Sequence, residues 1–323
     1  MSTATTDSTI KIAVIQRPPV FLNLQQSLDR AGQLIDEATG QGAKVITFPE
    51  TWLPGYPVWF DTAPHAALWD YPPAKALYRQ LSENSVVIGD GSLEKLLTQA
   101  HRCDVVIVMG LNERLGGTLY NTIAILDGPN QKIVIHRKLV PTYTERLVWG
   151  RGDGSTMEVA DTKYGRIGAL VCWEHWMPLA RSAMHAQHEA IHIAQWPTAH
   201  ELHQIASRHY AFEGQCFVIA SGCVMSRRDV IEGVQSVDGD TGEAMKLLTE
   251  IPGDDSDLLL RGGSSVIAPD GDFIVEPRFE DPSTVYAELD LGRITEGHLA
   301  MDTAGHYSRP DIFKLSINRD PQL

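Results

Sequence analysis

Three reactive side chains in this 323-residue chain each follow an apolar run: Glu50 after "VITFP", Lys138 after "IVIHR" and Cys172 after "IGALV". Catalytic groups of layered α/β proteins gather where strands end and loops begin. The three residue types have compatible jobs. A thiolate attacks an electrophilic carbon better than a hydroxyl does. A carboxylate partly shielded from water is a credible base for the thiol proton. A nearby lysine favours the thiolate, stabilises negative charge during attack and offsets the burial of Glu50. Taken singly, each has a plainer reading: Cys172 as a core thiol, Lys138 as a solvated strand end, Glu50 as a cap or surface acid. Periodicity does not show that the three meet.

Other residues compete for roles. Glu145 stands in the charged loop "HRKLVPTYTERLVWGRGDGS", where it could orient Lys138, support proton transfer or simply be solvated. The pairs His185/His188 and His200/His203 would each share one helix face. "HELH" has only two residues between its histidines, so it is not HExxH, and no metal site is expected. His175 either lines a site or makes a structural hydrogen bond. No GxGxxG or GxxxxGK[ST] motif follows a strand, so no nucleotide cofactor is expected.

Composition narrows the partners. There are 27 Lys and Arg against 41 Asp and Glu, a net charge of -14, which disfavours nucleic acid and anionic membranes. No apolar stretch approaches the roughly 18 residues of a membrane span, and the first residues do not form a secretory signal. The four cysteines form no CxxC pair or dense disulfide framework. A reducing cytoplasm is the default location, and it keeps Cys172 as a thiol.

The elements that must position these residues read as alternating strands and helices. "TIKIAVIQ" is a strand. Asn23 caps a helix carrying Leu24, Leu28, Ala31, Ile35 and Ala38, closed by Gly40 or Gly42, and "AKVITFPE" is the next strand. Residues 51–85, rich in Pro and aromatics, read as a long ordered loop with short helices that shapes a pocket or covers the core. A helix over 92–100, the strand "CDVVIVMG" and a hairpin of "LYNTIAILD" with "KIVIHRK" follow. "GRIGALVC", "AIHIAQW" and "CFVIASG" alternate as strands with the helices "MPLARSAMHAQH" and "HELHQIASRHYAFEG". "SSVIAPDGDFIVEP" is a hairpin about Asp-Gly, and "TVYAELD" is the last core strand. The acidic "SVDGDTGEAMKLLTEIPGDDSD" lies between strands, as an insertion. The chain is expected to be one α/β domain over 1–323, with a loose N-terminus at 1–8 and no long C-terminal tail.

Three stretches together resemble the carbon-nitrogen hydrolase superfamily, in its nitrilase branch: "FPETWLPGYP", "HRKLVPTYTERLVWGRGDG" and "VCWEHWMPLAR". The resemblance spans roughly residues 9–310. It implies a four-layer α-β-β-α sandwich, with Glu50 as base, Lys138 as charge stabiliser, Cys172 as nucleophile and Glu145 as the supporting glutamate. It implies no metal or organic cofactor, a small nitrile as substrate, and a homodimer that can extend into a spiral. The Trp173 backbone N–H is the expected oxyanion donor. Trp52, Tyr56, Trp59, His175, Trp176 and Trp196 could wall an aromatic pocket for aryl or arylalkyl nitriles, although a packed core would use the same residues. Aliphatic nitriles, cyanide and amides are the alternative substrates.

Overall fold

In the computed structural model, the described residues are 9–322. The expected loose segment 1–8 therefore lies outside them. A six-stranded sheet runs in the order β13-β1-β2-β3-β4-β5. Its members are β1 (Thr9–Ile15), β2 (Val45–Thr47), β3 (Val106–Leu115), β4 (Thr118–Asp127), β5 (Lys132–Arg137) and β13 (Thr284–Asp290). A seven-stranded sheet runs β10-β11-β9-β8-β7-β6, with β12 also on β11. It comprises β6 (Ala160–Thr162), β7 (Gly165–Val171), β8 (Ile191–Gln195), β9 (Phe217–Ser221), β10 (Val224–Ser226), β11 (Leu258–Ile267) and β12 (Phe273–Phe279).

Each sheet has a parallel centre, β1-β2-β3 in one and β7-β8-β9 in the other, with antiparallel flanks. Parallel neighbours require crossover connections, and helices supply them. Period-two alternation then sorts the side chains into layers. Ala13, Ile15, Ile107 and Met109 pack with Leu28, Ala31 and Ile35 of the helix Leu24–Gly40. The alternate residues Ile12, Val14, Val106 and Val108 face the other sheet, in the cluster that also holds Ile167, Ile191 and Ile193. Ala180, Ala183 and Met184 of the helix Pro178–His185 and Ala206, Tyr210 and Ala211 of the helix Glu201–Gly214 close that second side. The result is the expected four-layer α-β-β-α sandwich.

Several elements differ from the sequence expectation. Within 51–85, read as a long ordered loop with short helices, Pro72–Glu83 is a helix of three turns; its prolines lie in the first turn, where a missing N–H costs nothing. It packs against the helix Gly242–Thr249 in the acidic stretch, and Tyr71 and His65 both bond Glu250. The two segments read as separate insertions thus form one packed unit. β3 does not stop at Gly110 but continues to Leu115 and turns into β4 as a hairpin. The helix "MPLARSAMHAQH" ends at His185; His188 lies beyond it with a φ of 56°, so that pair shares no helix face.

Candidate active site

The ends of β2, β5 and β7 bring the three sequence-selected groups together. One oxygen each of Glu50 and Glu145 and the sulfur of Cys172 lie within 4.8 Å of one another. Lys138 Nζ donates to Glu145 Oε2 at 2.6 Å and to Glu50 Oε1 at 3.3 Å. All four side chains are buried.

Local sequence explains each placement. The loop after β2 carries Glu50 against β3, where Phe48 N–H donates to Val108 and Leu53 N–H to Gly110. A side chain at Gly110 would collide with the Pro49 carbonyl and the Thr51 nitrogen, so only glycine lets the loop lie this close. Gln195, at the end of β8, donates to the Phe48 carbonyl at 2.7 Å and joins this loop to the other sheet. Lys138 continues β5, its N–H donating to Asn121 of β4 at 2.8 Å.

Cys172 has a φ of 51° at the junction of β7 and the 3₁₀ turn Cys172–Trp176. Holding a non-glycine residue there costs about 1–3 kcal/mol and needs surrounding constraints. Glu174 supplies them. Its carboxylate accepts from Val171 N–H at 2.7 Å and Leu139 N–H at 2.9 Å, and lies 3.0 Å from His136 Nε2. It therefore ties the segment carrying Lys138 to the turn carrying Cys172. Burial alone would raise its pKa, but the His136 charge and these donors hold it below the usual carboxylate range.

The electrostatics separate the roles open to each group. Burial raises Glu50 to about 7 against the lowering pull of Lys138. Its Oε1 accepts from Asn121 Nδ2 at 2.7 Å, whereas its buried Oε2 has no hydrogen-bond partner among the described residues. Burial pushes the Cys172 thiol well up despite Lys138, so the resting sulfur is protonated. Burial works against the charge on Lys138, but the negative charges that Cys172, Glu50 and Glu145 carry when ionised outweigh it and raise its pKa. The Glu50–Glu145–Cys172 spacing is tight enough for a cation, but the Lys138 ammonium already bridges both carboxylates and supplies the positive charge there.

A cavity of about 340 Å³ opens onto Cys172 and Glu145, walled by Tyr56, Tyr143, Trp173, Pro197, Leu259 and Leu260, with Asp61, Thr198, His200 and His203 adding polar atoms. Of the aromatic residues selected from sequence, Tyr56 and Trp173 line it. Tyr56 also donates to Glu145 Oε1 at 3.2 Å. Trp173 is 53% exposed, and its backbone N–H acts to lower the Cys172 thiol pKa against the larger effect of burial. Trp176, 40% exposed, lines a neighbouring depression with Val140 and Met177 instead. Trp52 is core, packed on Phe48 with its Nε1 donating to the Arg17 carbonyl. Trp59 is buried against Phe21 and Phe60, and Trp196 is buried beneath His203. His175 is buried below the turn. His203 accepts from His200 N–H, and the pair holds no metal-ligand geometry with a third residue among the described ones. Asn121, Glu174 and Gln195 were not selected from sequence. A polar residue interrupting or ending an apolar strand was the available signal for Asn121 and Gln195.

The carbon-nitrogen hydrolase family model matches residues 11–298. The chain belongs to the carbon-nitrogen hydrolase superfamily. A nitrilase of Pseudomonas syringae pv. syringae is 35% identical, covering 97% of this chain and 90% of that protein. An aliphatic nitrilase of Rhodococcus rhodochrous is also 35% identical, covering 97% of this chain and 83% of that protein. The crystal structure of a CN-hydrolase superfamily protein from Xanthomonas campestris shares the fold, with a TM-score of 0.66 at 17% identity over 95% of this chain and 99% of that one. This carbon-nitrogen hydrolase is an enzyme that acts through a cysteine nucleophile on nitrile or amide carbon. Among the described residues, no helix is long and apolar enough to cross a membrane.

Proposed function

We propose that the enzyme hydrolyses a small aromatic or arylaliphatic nitrile to its carboxylic acid and ammonia. One observation carries the reading: the Cys172 thiol stands at the cavity wall beside a glutamate whose second oxygen is bare and a lysine held by two carboxylates. The cavity volume is within the range of small-ligand pockets, and Tyr56 and Trp173 offer flat apolar faces to a ring. Relatives named as nitrilases at about a third identity support the nitrile over the amide.

The chemistry follows from the geometry. As the Cys172 sulfur adds to the nitrile carbon, Glu50 Oε2 takes the thiol proton and passes it to the nitrile nitrogen, giving a thioimidate and restoring the Glu50 carboxylate. Glu50 then deprotonates a water that adds to the same carbon. The protonated nitrogen leaves as ammonia, and a thioester remains. A second water, activated in the same way, releases the acid and returns the proton to sulfur. Negative charge in the tetrahedral stages falls to Lys138 and the Trp173 N–H. If sulfur leaves in place of ammonia, the product is the amide. The working form is a homodimer, for which Leu179, Leu202 and Ile205 offer an exposed apolar face on the helices Pro178–His185 and Glu201–Gly214.

A nitrile panel that reports ammonia, amide and acid together tests this. The expected result is acid and ammonia from aryl and arylalkyl nitriles, lost in Cys172→Ala. Rapid amide hydrolysis with no nitrile turnover would overturn the reading.

A further inference from the structure

Below the Cys172 turn lies a second buried set of ionisable groups that the proposed reaction does not use. His175, Glu189, His192 and Tyr210 are all buried, and none lines the cavity. His175 Nδ1 lies 2.7 Å from the Cys172 carbonyl oxygen, and its Nε2 lies 3.0 Å from His192 Nε2. His192 Nδ1 is 2.6 Å from Glu189 Oε1, and the Tyr210 hydroxyl donates to Glu189 Oε2 at 2.5 Å. The arrangement is built in from β7: a side chain at Gly168 would occupy the position of the Glu189 carboxyl.

Hydrogen-bond chemistry sets the direction of every link. A carbonyl only accepts, so His175 Nδ1 carries a hydrogen. Burial and the neighbouring His192 push His175 down to about 3, and burial pushes His192 well below the usual range, so both rings are neutral. His175 Nε2 is then a bare acceptor, and His192 Nε2 must donate to it. That leaves His192 Nδ1 bare, facing Glu189. Only a protonated Glu189 Oε1 can donate there, and burial pushes Glu189 up to about 7.

We propose that Glu189, His192 and His175 form a directional donor relay ending on the Cys172 carbonyl, so that a proton held by the Glu189–His192 pair keeps the nucleophile's turn in place. These are positioning residues. Loss of the shared proton turns His192 Nδ1 into the donor to an ionised Glu189. His192 Nε2 then becomes bare, His175 must donate from Nε2, and its Nδ1 lone pair faces the Cys172 carbonyl. The hold on the turn is lost.

Other ionisable groups face the pair. From the helix Pro178–His185, His185 Nδ1 is 3.8 Å from Glu189 Oε2, and its Nε2 is 3.2 Å from Glu213. From the helix Glu201–Gly214 come Tyr210 and Glu213; ahead of β9 stands Cys216; Glu174 and His136 lie on the side of the Cys172 turn. A charged His185 would favour ionised Glu189 and the reversed relay, so the competing arrangement is specific and measurable.

The inference rests on Cys172 being the nucleophile, and Cys172→Ala with intact turnover would overturn that premise regardless of Glu189. With the premise standing, the pH profile of Glu189→Gln decides. The glutamine amide is a permanent donor to His192 Nδ1, and its carbonyl still accepts from Tyr210. The variant should keep kcat near neutral pH within about threefold, while its alkaline limb moves up by about one pH unit or more. His192→Phe, which removes the donor to His175, should lower kcat roughly tenfold or more with little change in KM. An inactive but folded Glu189→Gln, or an unmoved alkaline limb, would overturn the relay. Histidine-selective ¹⁵N spectra of the unaltered protein read it independently of folding or turnover of any variant. His175 should carry its hydrogen on Nδ1 and His192 on Nε2 at pH 6, both reversing in alkali; the opposite tautomers at pH 6 would overturn the proposal.

Discussion

Glu174→Gln tests how the two halves of the site are held in register. The wild-type carboxylate accepts from two backbone N–H groups on different segments, Val171 and Leu139, and pairs with His136. A glutamine has one accepting oxygen. Its NH₂ must face one of these N–H groups or the ring, so at least one buried donor is left unpaired. Hydrogen bonds to a charged group contribute about 1.5–3 kcal/mol each, and the retained contacts weaken when the charge goes. A net loss of about 2–4 kcal/mol follows, which for a chain of this length lowers Tm by about 3–6 °C. Activity should fall further than stability implies, because the Leu139 link is what fixes Lys138 relative to Cys172; a displacement of about 1 Å is enough for a loss of tenfold or more in kcat.

The pH dependence has a definite sign. Glu174 is depressed below 4.5, so its contribution is present above that value and is lost as pH falls through its folded pKa. His136 is raised above 6.5 by the Glu174 charge, which overcomes the lowering effect of burial. Its contribution is present below 6.5 and lost as pH rises through the raised value. The difference in Tm between wild type and variant should therefore be greatest between pH 4.5 and 6.5 and shrink on both sides. Thermal unfolding followed across pH, with kcat measured alongside, makes the check. A variant with unchanged Tm and kcat at pH 6 would refute the reasoning.

Glu50 acts as a base only when ionised, and its pKa is raised by burial to about 7; kcat/KM should rise as pH increases through that value, and a rate profile flat from pH 5 to 8 would exclude it as the base. The same shift has the opposite sign for stability: Glu50 favours the fold most below 4.5 and loses that contribution as pH rises toward 7. Gly110→Ala forces the added methyl into the Pro49–Thr51 backbone. It should cost about 1–3 kcal/mol in denaturant titration and depress kcat more than KM, since it shifts the loop holding Glu50. Trp52→Phe loses a buried hydrogen bond to Arg17 and part of the packing on Phe48 and should cost about 2–4 kcal/mol with KM unchanged, whereas Tyr56→Phe leaves Glu145 Oε1 without its donor and should change kcat/KM while costing about 1–3 kcal/mol.

The elements that carry the reactive groups were legible because their signals are local. Apolar runs ending in Glu50, Lys138 and Cys172 are strands followed by turns, and Asn23 caps its helix by accepting from Gln26 N–H. What escaped depends on contacts distant in sequence. Aromatic composition cannot tell a pocket wall from a core filler, so Tyr56 and Trp173 reach the cavity while Trp52, Trp59 and Trp196 fill the interior. The prolines at 72 and 73 left the bounds of the short helices expected in 51–85 open, because proline's effect depends on whether it starts a helix or interrupts one. Glu174 carries no motif for bridging two backbone segments; its role exists only once β5 and β7 have been brought side by side.

The two glutamates on Lys138 are not equivalent, and hydrogen bonding explains the division between them. Glu145 is fully engaged: Oε2 accepts from Lys138 and from Thr142 N–H at 2.7 Å, and Oε1 accepts from Tyr56. Such a carboxylate anchors the lysine, with both of its oxygens already accepting. Glu50 is held through Oε1 alone, with Oε2 buried and bare. An unpaired buried oxygen is costly, and in the proposed reaction that cost is recovered when Oε2 accepts the thiol proton or orients water. The protonated resting sulfur fits the same account. A fourth charge beside two carboxylates and one ammonium would be unfavourable until a neutral nitrile or amide substrate accepts the developing charge, so proton loss from Cys172 is coupled to attack and need not precede it.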